Sequence, residues 1–89
     1  MPELSLIVRN KVGLHARSAA LFAQTARQFS SKIVVWHNDR SADATDVVKL
    51  VTLAIYQDSE IIVKAEGEDA EMALTALRNL VENNFGEPL

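Results

Sequence analysis

Hydrophobic residues along this chain switch repeatedly between a period of two and a period of three to four, and each switch marks a new element. Over residues 4–9, Leu4, Leu6 and Val8 alternate with their neighbours, which predicts a strand with those three on one face. The chain then turns through Asn10-Lys11-Val12-Gly13. Beyond Gly13 the spacing lengthens, so that Ala19, Phe22, Ala23, Ala26 and Phe29 fall on one helical stripe. Ala16, Ala20 and Leu21 lie off that stripe, which leaves Leu21 as an apolar side chain facing water or a partner. Residues 32–37 set Ile33 and Val35 against Val34 and Trp36 in a β-branched and aromatic strand. The turn residues His37-Asn38-Asp39-Arg40 and a short returning strand over 40–43 complete a hairpin. Asp46 then caps a short helix over 47–53, its carboxylate accepting from the free N–H groups of the first turn. Alternation returns over 60–65, with Ile61, Val63 and Ala65 inward and Ile62 outward. Gly67 breaks this strand and Asp69 is the expected N-cap of the last helix. Its stripe is Ala70, Ala73, Leu74, Leu77 and Val81, and it ends at Asn83-Asn84 and Gly86.

The order β-α-β-β-α-β-α predicts an α+β fold, an antiparallel sheet of four strands with three helices on one face. Val34, Trp36 and Ile62 would then point to the uncovered face. They read either as a contact surface or, the reading preferred, as apolar scatter shielded by Lys64 and Ser41. With 89 residues and no Pro/Gly/Ser-rich linker, the expectation is a single domain over 1–89. Cysteine is absent, which excludes disulfides and a thiol nucleophile and is compatible with the cytoplasm. Nine basic and twelve acidic residues give a net charge of -3, which argues against nonspecific binding to nucleic acid or anionic membranes. No stretch approaches the about 20 apolar residues of a membrane span, and no basic-then-apolar leader precedes the first strand. A soluble, cytoplasmic monomer without membrane insertion is the expectation.

The chemistry concentrates where the first strand gives way to the first helix, at Gly13-Leu14-His15-Ala16-Arg17-Ser18-Ala19-Ala20. A helix start offers unpaired N–H groups and the positive end of the peptide dipoles, and so attracts anions. An imidazole at that edge can carry a phosphoryl group covalently while the amides of Ala16 and Arg17 and the Arg17 guanidinium receive its oxygens. Such a nucleophile is neutral imidazole, the form that a positive helix end favours. Gly13 suits a sharp approach to the helix. Little else competes. His37 has no second histidine or cysteine at ligand spacing, so neither zinc nor another metal is expected. Thr25, Ser30 and Ser31 have no histidine and carboxylate pattern around them, and three glycines cannot make a nucleotide loop, so no cofactor is expected. The carboxylates of Asp69 and Glu71 suit the dipole of the last helix.

The string Gly-Leu-His-Ala-Arg followed by small residues resembles the active-site signature of the HPr family, the histidine-containing phosphocarriers of the bacterial phosphoenolpyruvate-dependent phosphotransferase system. The resemblance runs over residues 4–81 and includes Lys49-Leu50, Thr52-Leu53 and Ala65-Glu66-Gly67-Glu68-Asp69. It implies an open-faced β-sandwich and a carrier that is no enzyme. His15 would accept a phosphoryl group on Nδ1 from phosphorylated enzyme I and pass it to an enzyme IIA in sugar uptake. It also implies a docking patch of Ala16, Ala20 and Leu21 with Val47, Val48, Lys49 and Val51, for which helix packing is the competing role, most evenly at Val48 and Val51. Three departures stand out. Ser18 occupies the usual proline position and is expected to restore an N–H and loosen the turn. Ala54 and Asp58 stand where glycine is common. Asp46 replaces the regulatory serine of many Gram-positive members, and is either a plain N-cap or a partial mimic of phosphoserine. Other readings are a carrier for a dihydroxyacetone kinase or a nitrogen-regulation branch, and an αβ interaction module that is never phosphorylated.

Overall fold

In the computed structural model, which describes residues 2–87, the elements follow the predicted order. They are β1 (Glu3–Ile7), α1 (Ala16–Ala26), β2 (Lys32–His37), β3 (Arg40–Asp43), α2 (Val47–Thr52), β4 (Glu60–Glu66) and α3 (Ala70–Glu82), with a 3-10 turn at Asn84–Gly86. Alternation does what it predicts. Leu6, Ile33, Val35, Ala42, Ile61, Val63 and Ala65 are buried on one face of the sheet. The strands pair antiparallel in the order β1-β4-β2-β3, with Leu6 opposite Ile61 and Val35 opposite Val63. The helices cover that face. Ala19, Phe22, Ala23 and Ala26 from α1, Leu50 from α2, and Ala73, Leu77 and Val81 from α3 close the core, with Phe29 half-buried against it. Fully burying one side chain such as Phe22 or Leu77 stabilises the fold by about 1.5–3 kcal/mol. The result is an open-faced β-sandwich.

On the uncovered face Val34, Trp36 and Ile62 are only half-buried. The Lys64 ammonium sits 5.5 Å from the centre of the Trp36 ring, so the expected shielding is a cation–π contact. Among the described residues no helix is long and apolar enough to cross a membrane.

One expectation about a helix end needs correction. Asp69 stands at the N-cap of α3, but its side chain makes no capping hydrogen bond. One carboxylate oxygen accepts from the Ser30 amide at 2.9 Å and the other from the Ser31 amide at 3.0 Å, and each serine hydroxyl donates to the same oxygen as its own amide. The loop before β2 carries four donors, and the carboxylate goes where donors are most numerous. Its pKa is held below the ordinary aspartate value by the Ser31 hydroxyl first and the Ser30 amide next. α3 stops at Glu82 with Asn83 as its C-cap, as the Asn83-Asn84 pair predicts, and a separate 3-10 turn follows. Asn84, Phe85 and Gly86 all take positive φ, turning the backbone so that Phe85 is buried. Ala54 and Asp58, where glycine was expected, likewise adopt positive φ of 55° and 71°.

Candidate functional site

The corner between β1 and α1 is built on a left-handed residue. Gly13 has φ +64°, its amide donates to Asn10 O at 3.1 Å, and Leu14 N donates to Ile55 O at 2.9 Å. A Cβ at Gly13 would run into the Ile55 carbonyl and come within 2.6 Å of the Tyr56 Cα. Only glycine fits this approach. The chain then extends through His15, the N-cap residue of α1.

Ser18 does the opposite of what its replacement of proline suggested. Its hydroxyl is buried, accepts from His15 N at 3.0 Å and lies 3.0 Å from Gly13 O, to which it can donate. This reciprocal capping ties the first turn to the glycine corner. The turn is stitched by a side chain where a proline ring would have stiffened it.

The imidazole of His15 is held from both sides. Nε2 lies 2.7 Å from Oε2 of Glu87, and Nδ1 faces the Arg17 amide at a long 3.4 Å. An ionised carboxylate only accepts hydrogen bonds, so a neutral ring keeps its proton on Nε2 and turns the Nδ1 lone pair toward the helix start. Glu87 also receives Arg17 Nη1 at 3.0 Å on Oε2 and Asn10 Nδ2 at 2.9 Å on Oε1. Burial pushes the Glu87 carboxyl up, but hydrogen bonds from Asn10 and His15, the charge His15 carries whenever it is protonated, and the charge of Arg17 outweigh it and hold it below the usual range. The second Arg17 nitrogen, Nη2, donates to Phe85 O at 3.2 Å. Asn10, itself buried, completes the ring by donating to Gly13 O at 2.7 Å. His15 and Arg17 thus come together as expected, and Asn10 and Glu87 join them unannounced. The one available signal was Phe85, a lone aromatic in a polar tail, which buries itself and carries Glu87 to the corner.

The expected docking residues divide by exposure. Ala16, Ala20, Val48, Lys49 and Val51 are exposed, Val48 at 72%, whereas Leu21 and Val47 are half-buried against the core. Leu50 points inward, so the exposed α2 valines are not its packing face. Val12 and Tyr56, both beside Gly13, are further exposed apolar side chains that the helical stripes did not reveal. Asp46 caps α2, accepting from Lys49 N at 3.1 Å. His37 serves structure: its Nδ1 lies 2.8 Å from Leu53 O and joins the end of β2 to the end of α2.

Comparison with known proteins places the sequence and fold in a family. The family described as PTS HPr component phosphorylation site matches residues 2–83. Phosphocarrier protein HPr of Xylella fastidiosa is 40% identical over 87 residues, 98% of either chain. The crystal structure of HPr from Thermoanaerobacter tengcongensis superposes with a TM-score of 0.96 at 43% identity, covering all of both chains. A dimeric form of HPr from the same organism matches with a TM-score of 0.78 at 42% identity, over 98% of this chain and 100% of that one.

Proposed function

Since this chain belongs to the HPr family, the phosphocarriers of the phosphotransferase system, we propose that His15 carries the phosphoryl group, taking it from enzyme I and giving it to an enzyme IIA of sugar uptake. The observation that carries the assignment is the direction of the ring. With Nε2 hydrogen-bonded to Glu87, Nδ1 is the free nucleophile, and it faces the N-terminus of α1. A phosphoryl group there meets the Arg17 amide and the neighbouring Ala16 amide, at the positive end of the helix dipoles. Arg17 is more than half exposed and has five N–H donors, enough to hold Glu87 and still receive a phosphoryl oxygen. The exposed surface of Ala16, Ala20, Val48, Lys49 and Val51, edged by Leu21 and Val47, docks donor and acceptor in turn. One copy per docking event suffices, so the working unit is a monomer and the whole chain is its single domain.

Incubation with enzyme I and phosphoenolpyruvate should place one acid-labile phosphate on the chain, and none on His15→Ala. Undiminished labelling of His15→Ala would falsify the assignment. Arg17→Ala should slow transfer by about ten-fold or more, since one charge-assisted hydrogen bond is worth roughly 1.5–3 kcal/mol. Asp46 acts as a helix cap and not as a phosphoserine mimic, given its bond to Lys49 N. Faster phosphoryl transfer in Asp46→Ser would count against that.

A further inference from the structure

We infer that Glu87, held by Asn10, is a positioning residue for the phosphoryl transfer: it fixes which ring nitrogen of His15 is nucleophilic and offsets the charge that the ring acquires. The inference rests on His15 being the phosphoryl acceptor. Nε2 of His15 lies 2.7 Å from Glu87 Oε2, a charge-assisted distance, and the Glu87 side chain is only 15% exposed. Its other oxygen is bound to Asn10 Nδ2 at 2.9 Å, and that same nitrogen reaches Gly13 O at 2.7 Å. The carboxylate is therefore braced against the glycine corner that also sets the backbone of His15. A flexible tail would give no such direction.

The chemistry follows from the proton. As the Nδ1 lone pair forms the new N–P bond, the bond between phosphorus and its donor atom breaks and its electron pair returns to the donor. The Nε2 proton stays where it is, so the phosphorylated ring carries a formal positive charge. Glu87 faces that charge directly, through the hydrogen bond it already makes in the resting protein. No reorganisation is needed at the moment of transfer. Arg17 shares Glu87 Oε2 at 3.0 Å, so the same carboxylate keeps the guanidinium beside the ring.

Glu87 lies beyond α3 and is not one of the core apolar residues, so its variants should keep the fold, which an amide NMR spectrum checks. Long-range nitrogen–proton NMR of the neutral His15 ring reads the tautomer without any phosphoryl donor. The unsubstituted chain should show the proton on Nε2, and Glu87→Ala should move both nitrogens toward averaged positions. Glu87→Gln, whose amide oxygen still accepts from Nε2 but carries no charge, should keep the tautomer. Both variants should lose about ten-fold in the rate of phosphoryl transfer from enzyme I. An unchanged tautomer in Glu87→Ala overturns the orienting role, and an unchanged rate in both variants overturns the charge role. A chain that takes no phosphate on His15 in its natural form fails the assignment itself, and the two failures are told apart.

Discussion

At the start of α1 the capping position is held by His15, and at the start of α3 by Asp69. By residue type alone the aspartate is the better cap, since its carboxylate accepts strongly from free amides. In the structure the ranking inverts. Asp69 makes no capping bond and fastens the loop before β2 through Ser30 and Ser31. The α1 start, by contrast, is capped reciprocally, with Ser18 carrying the tight bond and His15 the long one. The difference separates two uses of a helix end. Where the fold needs a cross-link, a good cap is diverted to it; at the α1 start a weak cap leaves the first amides only loosely engaged.

The strongest test of the first helix start is Gly13→Ala. A methyl group there meets the backbone of Ile55 and Tyr56, and φ of +64° adds left-handed strain. The expected loss is about 3 kcal/mol, read as a fall in Tm of about 10 °C or more. A Tm within error of the unsubstituted chain would show that the corner is adaptable.

Next comes Asp69→Ala at the second helix start, which removes four hydrogen bonds between α3 and the loop before β2. The fall in Tm should be clear at neutral pH. The sign with pH follows from linkage: the folded carboxyl titrates below its ordinary value, so its contribution is complete above that value and vanishes as pH falls through the depressed one. The two chains should therefore converge in stability on the acid side. A constant difference in Tm down to strong acid would mean that the charge is irrelevant.

Ser18→Ala should cost about 1 kcal/mol, the usual worth of a cap, and should also slow labelling of His15 because the ring's backbone loosens. Thermal melts and transfer rates measured on the same preparation decide it; lost stability with an unaltered rate would reduce Ser18 to scaffold. The smallest effect has the opposite sign. Ala54, just past the end of α2, is held at φ 55°, so Ala54→Gly should gain about 0.5 kcal/mol after the entropy cost of glycine is counted. If urea unfolding shows a loss, the methyl group of Ala54 is packing usefully against a neighbour.

How much of this was legible beforehand depends on the range of the forces involved. The strands and helices were, because alternation and three-to-four spacing are local properties of which side chains must leave water, and Leu6, Val35, Leu50 and Leu77 are buried as their periods require. So was the pairing of Gly13 with His15 and Arg17, since five consecutive residues cannot lie far apart. The partners of those residues were not legible. Glu87 stands 72 positions from His15 and Asp69 stands 38 from Ser31. No short-range pattern distinguishes a carboxylate that will find such donors from one that will be solvated. Those choices were made only when the sheet and helices brought the ends together, with Phe85 buried and the tail turned back across the corner. The sequence by itself determined the elements, their order and the corner that carries His15 and Arg17. The tertiary structure decided which nitrogen of His15 faces the helix and which charged groups surround it, because hydrogen bonds of that kind depend on positions in space that distant parts of the chain must supply.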